Sequence, residues 1–149
     1  EYGWDENRNA QLIGINSRLD EIQAAILNVK LKYLNKDNNE RRSIANYYNK
    51  NINNYKILKP LEKPNCYHVY HLYVIRCKNR DKLIRELRKK EIFAGIHYTK
   101  AVHQQQLFDG NKNYLPITDK ISKEVLSLPI YPGLRKKSLK KVIDVINNF

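Results

Sequence analysis

The sequence predicts an α+β domain in which helices cover a short, mostly antiparallel sheet. Two segments with apolar residues at steps of three and four come first, at residues 16–34 and 41–51, and strands and helices alternate after them. The chain has 149 residues, of which 42% are hydrophobic and 29% are charged. This composition is typical of one globular domain, or of one domain with an appendage.

Composition also excludes several classes of protein. No apolar run approaches the ~18 residues of a membrane span, and the first residues lack the basic-then-apolar layout of a signal peptide. Two cysteines, Cys66 and Cys77, are too few for a disulfide framework, so a cytoplasmic protein with no membrane partner is expected. Methionine is absent, which predicts that the chain is a fragment of a longer protein.

The net charge of +13 would attract polyanions. The basic residues are scattered, however, and no RRM signature, zinc-finger spacing or helix-turn-helix accompanies them. A nucleic-acid partner is therefore disfavoured, and lysine-rich solvated helix faces are the preferred interpretation.

The predicted elements follow one another without an internal repeat. The helix at 16–34 begins with a capping box of Ser17 and Asp20, and it carries an apolar stripe that indicates a packing surface. Both faces of the strand at 67–77 are apolar or aromatic, so this strand should be central in its sheet. The remaining predictions are a break at 35–39, a helix at 80–92, a strand at 93–98, a loop at 104–113, a helix at 116–125, a strand at 128–131 and a helix at 138–147.

Two cysteines and two histidines around the central strand are possible zinc ligands. Cys66 and His68 would face one side of the strand, whereas His71 and Cys77 would face the other. Four converging ligands would break the strand, so no metal site is predicted.

Polar side chains gather after the predicted strand at 93–98. His97, Tyr98, His103 and Gln104 stand at its end and in the following loop, where sites are common. Either histidine could donate a hydrogen bond to a ligand or move a proton near neutral pH. The alternative is a surface loop whose histidines only pair with the backbone.

Gly14 to Arg18 bring an amide, a hydroxyl and a guanidinium to the predicted start of the first helix. A helix N-terminus with free N–H groups suits phosphate, but the same residues would also serve as ordinary caps. No GxSxG, HExxH, Walker or GxGxxG pattern occurs, so no complete catalytic set is present.

Several ordered segments closely resemble the pyridoxal-phosphate-dependent sugar aminotransferases of the DegT/StrS family. The resemblance covers nearly the whole chain, and the run through QAA at 23–25 is its most specific part. The matching segments are YGW at 2–4, GINSRLDEIQAAIL at 14–27, KL at 30–31, RRSIA at 41–45 with Tyr48, HVYHLYVIR at 68–76, IHY at 96–98 with His103 and Gln105, LP at 115–116 and VLSLP at 125–129.

The resemblance implies the C-terminal small domain of a fold-type I aminotransferase. Residues 1–15 would lead in from a missing large domain, and residues 16–149 would form the small domain with the long interdomain helix. The full-length enzyme would be a homodimer that holds pyridoxal 5'-phosphate (PLP) mainly in the missing domain. The family's Schiff-base lysine motif does not occur here, so no catalytic residue is expected and the fragment alone should be inactive.

The family pattern also implies roles for particular residues. Asn16 would reach the cofactor phosphate across the dimer, with Ser17 and Arg18 as weaker candidates for contact with the phosphate or the nucleotide sugar. His97, Tyr98 and His103 would bind the substrate. The resemblance is to enzymes that aminate C3, so it implies a dTDP-linked 3-keto-6-deoxyhexose as the substrate and glutamate as the amino donor.

Two departures and two alternatives accompany this interpretation. Thr99 and Ala101 stand where the family commonly has prolines, and Glu91 replaces a usual helix-ending glycine. The family also contains sugar dehydratases with a histidine in place of the Schiff-base lysine, which these residues do not distinguish. A non-catalytic regulator or binding module is the other alternative.

Overall fold

The computed structural model describes residues 3, 5, 6, 11, 13–15, 19–105 and 114–149. The chain divides into two units, Glu1–Asn35 and Lys36–Phe149. Because the second unit contains the sheet and the larger part of the described residues, the core and the loop histidines belong to it.

Helix α1, Glu21–Leu31, dominates the described part of the first unit, and none of its residues is buried. Its apolar side chains face solvent, as Ile22 at 76% and Ile26 at 55% exposure show. The helix begins later than predicted: Asp20 is the N-cap and makes no side-chain capping bond, so the predicted capping box is wrong. Ser17 itself lies outside the described residues.

Helix α2 spans Leu34–Asn51 without interruption, so the predicted break at 35–39 is wrong. The chain turns earlier, at residues 32 and 33. Asparagine has only a moderate helix propensity, but Asp37 in the first turn interacts favourably with the positive end of the helix dipole. Tertiary packing of Ile44, Ala45 and Tyr48, all buried, stabilises the rest of the helix.

Three strands form the described sheet, in the order β1, Ile57–Leu58, β2, Tyr73–Cys77, and β3, Val125–Leu128. Both pairings are antiparallel, with Ile57 opposite Cys77 and Tyr73 opposite Leu128. The predicted antiparallel character and the central position of the strand that ends at Cys77 are confirmed.

The two faces of β2 are buried to different degrees. Tyr73, Ile75 and Cys77 are buried, whereas Val74 and Arg76 on the other face are partly exposed. Burial raises the pKa of the Cys77 thiol. Arg76 Nη2 lies 2.7 Å from Glu124 Oε2, which pairs the partly exposed face with the last residue of the helix that precedes β3.

Residues 67–72 are not part of the strand, contrary to the prediction. Tyr70 has a φ of +50°, which no ladder residue adopts. Its N–H donates to Nδ1 of His68 at 2.8 Å, and the two rings stack at 4.1 Å between centroids. Arg42 Nη1 donates to the His68 carbonyl at 2.7 Å, so the segment is fixed to α2 instead of to a neighbouring strand.

Three further helices complete the fold: α3, Arg80–Lys89, α4, Pro116–Glu124, and α5, Lys136–Asn147. The predicted strand at 93–98 is reduced to a single bridge between Gly95 and Ser127, and the predicted strand at 128–131 lies instead at Val125–Leu128. Of the predicted loop, Gln104 belongs to a 3-10 turn, Val102–Gln104, and residues 106–113 lie outside the described part.

One apolar core joins these elements. Helices α3 and α5 pack together, and Tyr48 of α2 lies 4.9 Å from Tyr73 of β2 between ring centroids. The Tyr48 hydroxyl donates to the Pro129 carbonyl at 2.8 Å, and burial raises the pKa of this phenol. The core residues are Ile44, Ala45, Tyr48, Ile52, Ile57, Tyr70, Tyr73, Ile75, Cys77, Leu83, Leu87, Ile92, Leu126, Leu128, Ile130, Leu139, Val142, Ile143 and Ile146.

The ion pair between Arg42 and Glu62 should make stability depend on pH. The hydrogen bond from Arg42, at 2.6 Å, and a second from the His68 N–H lower the pKa of Glu62 below its ordinary value of 4.5. A carboxyl with a lowered folded-state pKa stabilises the fold above its unfolded-state pKa, and this contribution is lost as the pH falls through the folded-state pKa. The difference in unfolding free energy between wild type and Glu62→Gln should therefore be largest at neutral pH and vanish in acid.

Urea unfolding of both proteins across a pH series measures this difference. Glu6→Gln, at an exposed position outside the helices and strands, is the matched control for the loss of one carboxylate. A difference between wild type and Glu62→Gln that is independent of pH would contradict the assignment.

Glu91 ends α3 in a backbone conformation that favours glycine. Its φ is +56°, and the Ile92 N–H donates to the Leu87 carbonyl at 3.0 Å, as in a glycine-type helix end. Glu91→Gly should raise the unfolding free energy by about 0.5–1 kcal/mol, because left-handed backbone costs a residue with a Cβ more than glycine loses in entropy. The Lys141–Glu91 pair, at 3.9 Å and exposed, contributes little in return.

Thermal or urea unfolding checks this result, with Lys90→Gly as the control. Lys90 has a φ of −103°, so glycine there should destabilise the fold. Destabilisation by both substitutions would refute the interpretation of Glu91.

Candidate functional site

His97 lies where the segment after α3 meets β3. Gly95 and Ser127 exchange two backbone hydrogen bonds, at 3.0 and 2.8 Å. The Nδ1 of His97 lies 2.9 Å from the Ser127 hydroxyl, and Ser127 is buried with 5% exposure. The backbone bridge therefore brings a buried hydroxyl against one nitrogen of an otherwise exposed ring.

Gly95 makes room for this ring. A Cβ at position 95 would lie 2.7 Å from Cε1 of His97, closer than carbon atoms approach in folded proteins. A larger residue would displace the imidazole, because the other side of the contact is backbone in the sheet. The observed position of the His97 ring therefore requires glycine at position 95.

Tyr98 follows directly and is 75% exposed. Its ring stands edge-on to that of His97, with 5.8 Å between centroids. Within the described part of the chain, the Tyr98 hydroxyl has no hydrogen-bond partner. An exposed phenol beside a fixed imidazole can recognise a polar ligand without first breaking an internal contact.

His103 is held by a different element. Its Nε2 lies 2.8 Å from Oδ1 of Asp119, in the first turn of α4. Gln104 donates from Nε2 to the same oxygen at 2.6 Å. The side-chain oxygen Oε1 of Gln104 accepts a hydrogen bond from the Ala101 N–H at 3.0 Å. The His103 side chain is 13% exposed, so most of the ring is covered.

The structure therefore contradicts the alternative in which the two histidines of this loop pair only with the backbone. Each histidine is bound by a side chain of the scaffold, Ser127 or Asp119, and not by backbone. His97 and Tyr98 lie together, whereas His103 is attached separately through α4. Sequence reasoning did not assign Ser127 or Asp119 a role. Ser127 stands inside the VLSLP segment, while Asp119 carries no signal beyond its place in a helical first turn.

The predicted phosphate residues Asn16, Ser17 and Arg18 lie outside the described residues. Helix α1 begins at Glu21, five positions after Asn16, and carries Glu21 in its first turn. The predicted helix start at residue 16 is therefore wrong, and the helix N-terminus no longer supports a phosphate at Asn16. The prediction now depends on the resemblance and on donor chemistry: an amide, a hydroxyl and a guanidinium all suit phosphate.

The residues considered for zinc differ in their surroundings. Nδ1 of His68 accepts the Tyr70 N–H, Cys77 is buried, and Cys66 is exposed. Across the described residues, no three or more His, Cys, Asp or Glu side chains are grouped as metal ligands. None of the helices seen in the described part is both long and apolar enough to span a membrane.

Comparison with solved structures defines the class of fold. The chain superposes on S. venezuelae DesV, determined with a ketimine intermediate, with a TM-score of 0.89 and 32% identity, covering 99% of this chain and 41% of DesV. It also matches Bacillus subtilis NtdA, determined with bound PMP, with a TM-score of 0.83 and 25% identity, covering 99% of this chain and 37% of NtdA. The fold is that of the C-terminal part of a fold-type I aminotransferase.

The chain belongs to the DegT/DnrJ/EryC1/StrS aminotransferase family, whose pattern matches residues 2–147. One relative is the dTDP-3-amino-3,6-dideoxy-alpha-D-galactopyranose transaminase of Aneurinibacillus thermoaerophilus, 38% identical over 99% of this chain and 41% of that protein. Another is the pleiotropic regulatory protein of Geobacillus stearothermophilus, 35% identical over 93% of this chain and 39% of that protein. The chain thus spans about two fifths of the length of these relatives.

Proposed function

We propose that the chain is the C-terminal part of a PLP-dependent transaminase that transfers an amino group from glutamate to C3 of a dTDP-linked 3-keto-6-deoxyhexose. The observation that carries the proposal is the match to a dTDP-3-amino-sugar transaminase along 99% of the chain at 38% identity. The resulting amino sugar would enter surface polysaccharides or glycosylated products.

In this proposal, residues 95–105 contribute sugar contacts. His97 presents its remaining ring nitrogen, Tyr98 its exposed hydroxyl, and His103 its remaining ring nitrogen to the hydroxyl groups of the substrate. Recognition of a hydroxylated ring requires a few polar groups fixed in orientation, and Ser127 and Asp119 provide that fixing for the histidines. The sugar contacts of this chain would therefore lie in one loop supported by β3 and α4.

Asn16, Ser17 and Arg18 would bind the phosphate of PLP in the active site of the second subunit. When bound, PLP supplies the electron sink that stabilises a carbanion next to the transferred nitrogen. The Schiff-base lysine would belong to the large domain, so this chain binds and orients but does not carry the reaction.

The exposed face of α1 supports a homodimer with a large domain. Ile22, Ile26 and Val29 are between 55% and 76% exposed, and they form a stripe at helical spacing. Several exposed apolar side chains on one face of a helix indicate a protein interface. The large domain and the second subunit of the full-length protein would cover them.

An amination assay tests this function directly. The full-length protein, PLP, glutamate and a dTDP-3-keto-6-deoxyhexose should yield the 3-amino sugar nucleotide and 2-oxoglutarate, whereas the 4-keto isomer should react far more slowly. The isolated 149-residue chain is the negative control. Loss of water from the sugar nucleotide, with no transfer of the glutamate nitrogen to the product, would instead identify a dehydratase.

A regulatory protein is the second candidate, favoured by the similarity to a pleiotropic regulatory protein and by the net charge of +13. It requires binding of a polyanion. DNA affinity of the full-length protein that falls steeply with salt, together with no amination, would support this candidate.

A further inference from the structure

The contact between His103 and Asp119 restricts where the imidazole proton lies. An ionised carboxylate accepts hydrogen bonds and donates none. Asp119 Oδ1 lies 2.8 Å from His103 Nε2, so this nitrogen must carry hydrogen for the contact to be favourable. A neutral His103 then has its lone pair on Nδ1, which has no partner among the described residues.

Gln104 fixes the same carboxylate from a second side. The Ala101 N–H donates to Oε1 of Gln104 at 3.0 Å, which determines the orientation of the amide. The amide nitrogen therefore faces Asp119, and it donates to Oδ1 at 2.6 Å. Oδ1 of Asp119 therefore accepts hydrogen bonds from two donors, His103 and Gln104. The backbone N–H of Ala101 holds the Gln104 amide in place.

We propose that Asp119 is a positioning residue that holds His103 in the Nε2–H tautomer and so leaves Nδ1 as the acceptor for a sugar hydroxyl. The tautomer assignment stands on the contacts alone, and the hydroxyl contact rests on the proposed function. A fixed acceptor selects substrates that carry a hydroxyl at the contacted carbon, because an analogue without it leaves a polar group unpaired. The pairing resembles the use of a carboxylate to orient a functional histidine in metal and hydrolase sites.

Ring nitrogen shifts in a 15N-histidine sample of the full-length protein test the first step, at a pH where the imidazole is neutral. Comparison with His103→Gln assigns the signals. Wild type should show protonated Nε2 and unprotonated Nδ1 at His103. Protonated Nδ1 in the wild type would overturn the proposal without any variant.

Variants of Asp119 test the dependence on the carboxylate. Asp119→Ala should shift the ring toward a mixture of tautomers, and Asp119→Asn, which keeps an acceptor oxygen, should restore the Nε2–H form. Asp81→Ala is the matched control, since Asp81 occupies the first turn of α3 as Asp119 does that of α4. An unchanged tautomer in Asp119→Ala would also overturn the proposal.

Kinetics of the full-length enzyme test the second step. Asp119→Ala should raise KM for the nucleotide sugar roughly tenfold, with a smaller change in kcat, and Asp119→Asn should recover most of the loss. An unchanged KM in an active enzyme would overturn the hydroxyl contact while the proposed function stands. Absence of amination by the wild type would refute the function and leave the tautomer measurement valid.

Discussion

Gly95→Ala in the full-length enzyme should lower kcat/KM for the nucleotide sugar by about 100-fold, the scale of loss expected when a site group moves by roughly 1 Å. The added Cβ would lie 2.7 Å from Cε1 of His97, so the ring must move from the position in which it contacts Ser127. The measurement is steady-state kinetics together with the His97 ring shifts.

Gly133→Ala separates this effect from a general effect of adding a methyl group to glycine. Gly133 has open space around the added Cβ but a φ of +82°, so alanine there should cost about 1–2 kcal/mol of stability and leave the activity unchanged. Full activity of Gly95→Ala would show that the position of His97 does not matter for the reaction.

Leu126→Ala should lower the unfolding free energy by about 2–5 kcal/mol, a large part of the stability of an ordinary domain. Leu126 is 0% exposed in β3 and lies opposite Ile75 of the central strand. Removing its side chain leaves a cavity between the sheet and the helices. Urea unfolding of the chain measures the loss.

Leu61→Ala is the control for the same chemical change at the surface, because Leu61 is 84% exposed. It should change the unfolding free energy by no more than about 0.5 kcal/mol. Equal effects at the two positions would contradict the location of the core.

The elements that could be predicted from the sequence are those whose periodicity is strong and local. Helix α5, Lys136–Asn147, matches the prediction at 138–147, and the strand that ends at Cys77 is central as expected. The spacing of apolar residues predicts both the helix and the strand, because each buries one continuous face. The resemblance to the family was likewise readable, because its motifs are ordered along the whole chain.

Tertiary contacts decided the elements that were predicted wrongly. Alternation at 67–72 suggested a strand, but Arg42, distant in sequence, donates to the His68 carbonyl and holds the segment on α2. Helix α2 includes 35–39 because packing further along the helix outweighs the weak propensity of its asparagines.

The site was predictable in part. His97, Tyr98 and His103 remain predictions as substrate contacts, and the structure adds the groups that hold the two histidines. Ser127 and Asp119 could not be identified beforehand, because they lie 30 and 16 positions from their partners. Only the fold brings them together.

The most direct test of the central claim is the absorption spectrum of the full-length protein with PLP, before and after borohydride, followed by mapping of the modified lysine. We expect one reducible PLP–lysine linkage, at a lysine outside the 149 residues of this chain, whose absorption band disappears when glutamate is added. Bound cofactor without a lysine linkage would contradict a transaminase and indicate the dehydratase branch. Absence of bound PLP would contradict both enzymes and favour a regulatory protein.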